Sequence, residues 1–194
     1  MTRNERIKAE IAREAARLLF EEEVRSYRDA RRQAVRRFGP SVSSSRGPHL
    51  PEYAEIHTEL RQLLSFYGGA ALAGRVRHWR QLALKYLELF EPFQPLLVGS
   101  VARGEVREIS DINLQLFCDK SEEVGYFLAS EGIEFDEEGD AESARFFFED
   151  DGIEIECVVY SLNERRHIPH CQITGKSLER VGYKQLKALL EAED

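Results

Sequence analysis

Residues 96–117, LLVGSVARGEVREISDINLQLF, bring a hydroxyl, an acid and an amide into one short stretch. It reads as an apolar run, a Gly99-Ser100 turn, a short polar helix, and a strand that opens with Asp111 and carries Asn113. Side chains alternate along a strand, so Asp111, Asn113 and Gln115 share one face while Ile112, Leu114 and Leu116 share the other. A Gly-Ser turn between a strand and a helix is a place where backbone N–H groups and a hydroxyl can hold a phosphate. Further on, IEIECVVY sets Glu154 and Glu156 on one face against Ile153, Ile155 and Cys157. If the two strands are neighbours, a phosphate cradle, an acid, an amide and a second acid converge. Oxygen donors of this kind suit Mg²⁺ shared with substrate phosphates. Two such ions can activate a hydroxyl and shield a departing pyrophosphate, so the reaction class is nucleotidyl transfer from a nucleoside triphosphate (NTP).

The stretch GSVARGEVREISDINL resembles the signature of the DNA polymerase beta-like nucleotidyltransferase superfamily, in particular its minimal bacterial members. Their pattern is Gly-Ser, then Ala-Arg-Gly, then Ser-Asp-hydrophobic-Asp, and the ten residues between Ser100 and Asp111 match their usual spacing. The resemblance implies that Gly99 and Ser100 bind the triphosphate, with Arg103 assisting, and that Asp111 coordinates both metals. It implies that Glu156 is the third carboxylate, binding the catalytic metal and helping to deprotonate the acceptor; Glu154 is the alternative holder of that role. Asn113 departs from the pattern. It stands where the second aspartate is expected, and a neutral amide there lowers the formal negative charge from three to two and weakens the second ion most.

The implied fold is α+β, a nucleotidyltransferase-like mixed β-sheet flanked by helices, and the resemblance spans about residues 92–160. The implied activity moves a nucleoside monophosphate from an NTP to a small-molecule or protein hydroxyl, with Mg²⁺. The alternative is a catalytically silent domain kept for binding a nucleotide, or a protein partner through its basic helices, and Asn113 favours it. SYRDARRQAVRRFG and LPEYAEIHTEL resemble an uncharacterised bacterial family whose members sometimes carry a muramate-alanine ligase label; this implies no activity.

The elements that must position these residues fall into two parts. Residues 1–90 hold 17 Lys/Arg and 11 Asp/Glu, whereas residues 91–194 hold 10 and 24, so the parts carry +6 and −14. An acidic second part disfavours a long nucleic acid lying across it. Helix spacing predicts about four helices before residue 91. The first two bury Ile7, Ile11, Ala15, Leu18 and Leu19, then Tyr27, Ala30, Ala34 and Phe38. A third has Pro51 in its first turn and Tyr53, Ile56, Leu60, Leu63 and Tyr67 inward; a fourth has Val76, Trp79, Ala83, Tyr86 and Phe90 inward. GPSVSSSRGPHLP between them is a loop by composition. The expected boundary lies at 90/91.

After it, strands are expected in PLLVG, DINLQLFCD, ARFFFEDD and GIEIECVVY, the last two as a pair around Asp151-Gly152. SEEVGYFLASEG and SLERVGYKQLKALLEAE are expected helices, with Ser177 as a cap, and the acidic EFDEEGDAE a solvated connection.

Other motifs carry less. Gly175-Lys176-Ser177 resembles the end of a P-loop, but His170 occupies the place of the first Gly and no buried strand precedes it. His167, His170 and Cys171 are close in sequence, but Pro169 interrupts them and no fourth ligand is adjacent. The arginines around residues 25–37 could bind RNA, although solvation or pairing with acidic residues is the simpler account. Three cysteines, Cys118, Cys157 and Cys171, fit no paired framework and suit a reducing, cytoplasmic setting. No apolar run approaches the ~18 residues of a membrane span.

Overall fold

The computed structural model describes residues 2–38, 50–140 and 144–192. Most of the Ser-rich loop, and the end of the acidic run, lie outside the described residues. The chain is mixed α and β, with seven α-helices and a five-stranded mixed sheet among the described residues. No described helix is long and apolar enough to cross a membrane. Two compact units divide it, one comprising residues 1–73, 107–109 and 170–176, the other residues 74–106, 110–169 and 177–194.

In the first unit, α1 (Arg3–Phe20), α2 (Tyr27–Arg37) and α3 (Tyr53–Tyr67) pack around Ile11, Leu18, Leu19, Ala30, Ala34, Ile56 and Leu60. Local chemistry starts each helix. Thr2 and Glu5 form a capping box on α1, and the Ser26 hydroxyl accepts from the Asp29 N–H at 3.0 Å on α2. α3 begins later than expected. Pro51 lies outside it and Glu52 is its cap, reciprocally bonded to Glu55. The inward stripe of α3 also takes in His57 and Leu64, whereas Tyr67 is 66% exposed beside Phe66 at 81%. Arg107 belongs to this unit and donates to the Leu19 carbonyl in the last turn of α1 at 3.1 Å and to the Arg25 carbonyl in the connection to α2 at 3.0 Å.

The helix α4 (Gly69–Leu89) enters the second unit at Gly74. There follow β1 (Leu96–Val98), α5 (Gly99–Arg103), β2 (Ile112–Phe117), α6 (Glu122–Ser130), β3 (Asp136–Glu138), β4 (Arg145–Asp150), β5 (Ile153–Tyr160) and α7 (Tyr183–Ala192). The sheet order is β1-β2-β5-β4-β3. β2 and β5 run parallel, and the other neighbours are antiparallel. One face is apolar, with Ile112, Leu114, Leu116, Ile155, Cys157, Val159, Phe146 and Phe148 all buried. The rings of Tyr86 in α4 and Phe90 just after it lie 5.1 and 6.3 Å from the Phe148 ring. The Asp151-Gly152 turn between β4 and β5 has positive φ at both residues (54° and 73°), the backbone twist that a two-residue hairpin needs.

Two further expectations are corrected. The acidic connection is partly a strand, because Asp136–Glu138 pairs with β4 at the sheet edge; its three charged residues are exposed, which an edge strand tolerates. The closing helix starts at Tyr183, so Ser177 does not cap it. Val181 instead exchanges two 2.9 Å backbone bonds with Leu97, which holds the preceding segment extended against β1. Gly182 then starts the helix, its N–H donating to Gln185 Oε1 at 3.2 Å and its carbonyl accepting from Leu186 N–H at 3.0 Å.

Candidate functional site

The turn after β1 depends on Gly99, whose φ of +83° is in the left-handed region. α5 then makes little more than one turn before Gly104, at φ +72°, ends it. So short a helix closes few bonds of its own, the Gly104 N–H reaching the Val101 carbonyl at 3.2 Å and the Glu105 N–H the Ser100 carbonyl at 2.9 Å. Arg80 of α4 adds to them, donating from Nε to the Val101 carbonyl at 3.3 Å and from Nη2 to the Ala102 carbonyl at 3.2 Å. Its exposure is only 7%.

Asp111 sits immediately before β2. The carbonyl of its predecessor, Ser110, accepts from Trp79 Nε1 at 3.2 Å. In β2, Asn113 stands between Val98 of β1 and Glu156 of β5 in the sheet register. Paired residues share a sheet face, so the amide and the carboxylate project together. The turn is against them: a Cβ at Gly99 would lie 3.5 Å from Asn113 Nδ2. Glu154 stands opposite Glu149 of β4 and is exposed, whereas the Glu156 side chain is only 16% exposed.

Burial pushes the Glu156 carboxyl above its ordinary range. The Arg145 guanidinium, with Nη1 3.2 Å from Glu156 Oε1, partly offsets this, and the charges of Asp111, Glu154 and Glu138 add to it. Asp111 and Glu156 therefore feel one another electrostatically. Among the described residues the side chains of Ser100, Asp111 and Asn113 make no hydrogen bond, and all three are partly buried.

Gly99, Asn113 and Glu156 are thus brought side by side, with Asp111 within electrostatic reach and Ser100 in the first turn of α5. Arg103 is otherwise engaged. Its Nε donates to Glu105 Oε2 at 2.8 Å, with both side chains largely buried, so its charge is already matched. The donor set of Asp111, Asn113 and Glu156 is all oxygen, the donor type that hard divalent ions take, and an aspartate at position 113 would add a charge that the amide does not bring. Among the described residues no three His, Cys, Asp or Glu side chains are grouped to hold an ion by themselves.

Arg80 and Arg145 escape the sequence reading, and Trp79 enters it only as an inward residue of the fourth helix. Arg80 had a signal, because it continues the spacing of the buried Val76 and Ala83, and a charged residue on an apolar stripe implies a specific partner. Arg145 had none, since its contact with Glu156 depends on strand register.

No protein-family model matches the chain, no curated protein matches it, and no solved structure matches it.

Proposed function

We propose that this protein is a nucleotidyltransferase-fold enzyme that transfers a nucleoside monophosphate from an NTP to a small-molecule or protein hydroxyl. The observation that carries the reading is the β2–β5 register, which sets Asn113 against Glu156 beside the Gly99 turn and near Asp111. The β-turn-helix-β hairpin of β1, α5 and β2 beside a parallel acidic strand also supports the resemblance of GSVARGEVREISDINL to the DNA polymerase beta-like superfamily.

In this reading Ser100 and the first N–H groups of α5 hold the triphosphate, Asp111 and Glu156 hold Mg²⁺, and Asn113 is a weakened ligand. Mg²⁺, when bound, withdraws charge from the phosphates and lowers the barrier to deprotonating the acceptor. The acceptor oxygen forms a bond to the α-phosphorus as the bond to pyrophosphate breaks, and Glu156 takes the hydroxyl proton.

Titration calorimetry with ATP, CTP, GTP and UTP, each with and without Mg²⁺, tests the reading, followed by transfer of label from an α-phosphate. Mg²⁺-dependent binding that disappears in Asp111→Ala supports it. No binding of any triphosphate under either condition removes it.

Arg145 favours a second reading, a silent domain that binds nucleotide or a protein partner without turnover. Its guanidinium occupies the Glu156 carboxylate, and Asn113 brings no compensating charge. Triphosphate binding that ignores Mg²⁺, with no label transferred, selects this reading.

A further inference from the structure

We infer that α4 is the positioning element of this site, with Arg80 setting the phosphate side and Trp79 setting the carboxylate side. The inference rests on the triphosphate reading above and deepens it. A five-residue helix cannot hold itself, because nucleation costs more than one turn of hydrogen bonds returns. α5 keeps its shape through tertiary partners, and the guanidinium of Arg80 takes the Val101 and Ala102 carbonyls of its second half. The approach is tight enough to favour glycine at the end of the turn, where the backbone is also left-handed, since a Cβ at Gly104 would come to 3.2 Å from Arg80 Nη2.

The preceding residue on the same helix does the corresponding work at β2. Trp79 holds the carbonyl of Ser110, the residue before Asp111. Successive residues of a helix point about 100° apart, so one turn of α4 reaches two separate segments of the site. One and a half turns on, Lys85 Nζ and Tyr86 Oη lie 2.7 and 2.9 Å from Asp150 Oδ2, where β4 turns back into the strand that carries Glu156. The three chain segments of the site are therefore referenced to one rigid helix, the arrangement that keeps a constellation within tight tolerance. Arg80 and Trp79 touch no reacting group, and they act through Ser100 and Asp111.

The full chain is compared with Arg80→Met, Arg80→Lys and Trp79→Phe by amide hydrogen exchange and by titration with ATP, with and without Mg²⁺. Arg80→Met is expected to speed exchange across residues 99–105 about tenfold or more while β4 and β5 keep the parent rates. It weakens ATP binding about tenfold whether or not Mg²⁺ is present. Arg80→Lys, which can reach one carbonyl but not hold both in a fixed fork, falls between. Trp79→Phe keeps a ring and loses the donor; it leaves metal-free ATP binding within about twofold and shrinks the gain that Mg²⁺ brings. Unchanged exchange at 99–105 in Arg80→Met, or acceleration spread evenly through the sheet, overturns the inference, and so does the same ATP and Mg²⁺ response at both positions. Should Arg80→Met fail to fold, Arg80→Lys carries the same comparison. If the parent binds none of ATP, CTP, GTP and UTP while the Arg80 variants loosen 99–105 alone, the triphosphate reading falls and Arg80 remains the residue that sets the turn; if it binds one of the others, that triphosphate replaces ATP in the comparison.

Discussion

The guanidinium of Arg80 lies against the backbone of Gly104, so close that a Cβ there would meet Nη2 at 3.2 Å. Gly132 has the same φ of +72°, but nothing lies within 4 Å of its Cβ position. The two glycines therefore separate backbone strain from crowding. Gly132→Ala should cost about 1–2 kcal/mol for the left-handed backbone alone. Gly104→Ala should cost more by about 1 kcal/mol, because the guanidinium must also move off its carbonyls. Urea unfolding of both variants checks this, and equal losses would show that Arg80 yields freely.

Asn113→Asp adds a carboxylate beside Glu156 and within reach of the Asp111 charge. Repulsion should lower stability in EDTA, and Mg²⁺ should return more than it returns to the parent protein. Thermal melts of both proteins, with EDTA and then with Mg²⁺, read the two effects separately. A variant that melts with the parent in EDTA, and ignores the ion, would show that these oxygens do not share a site.

Glu156 has a pKa raised chiefly by burial, so the folded state holds its proton more tightly than the unfolded chain does. Stability from this group is complete below its ordinary pKa of 4.5 and declines as pH rises through the higher folded value. Glu156→Gln removes that decline. The variant should melt above the parent at neutral pH, with the gap closing as pH falls below 4.5. Melts across that range check it. A variant less stable than the parent at neutral pH would mean that the Arg145 contact outweighs burial.

Asp150 behaves in the opposite sense. The Lys85 ammonium, then the Tyr86 hydroxyl, hold its carboxyl below the ordinary value of 3.8. Its contribution is present above 3.8 and is lost as pH falls through the depressed folded value. Asp150→Asn should cost about 1 kcal/mol at neutral pH, below the usual range for a charged hydrogen bond because Lys85 is exposed. Denaturant unfolding should show the parent's advantage shrinking in acid. A gap that stays constant with pH would assign the loss to packing.

Much of this architecture was legible before any coordinates. Helix spacing located the buried residues of α1 and α2, since amphipathic helices declare their inward face through local repetition alone. Turn chemistry located the Asp151-Gly152 hairpin for the same reason. The misread segments were those where a remote partner overrides local preference. Residues 177–182 carry a helical pattern, but Val181 pairs with Leu97 and holds them extended. Residues 136–138 are all acidic, and β4 still recruits them as an edge.

The candidate site divides along the same line. Alternation within a strand placed Asp111 with Asn113, and Glu154 with Glu156, because a period of two is a property of the local backbone. Which glutamate faces Asn113 is a question of register between strands distant in sequence, and only their parallel pairing decides for Glu156. The Arg145 contact and the Arg80 and Trp79 bonds are likewise tertiary. Each joins groups that no repeat connects, brought together when apolar burial packs α4 and the strands into one unit.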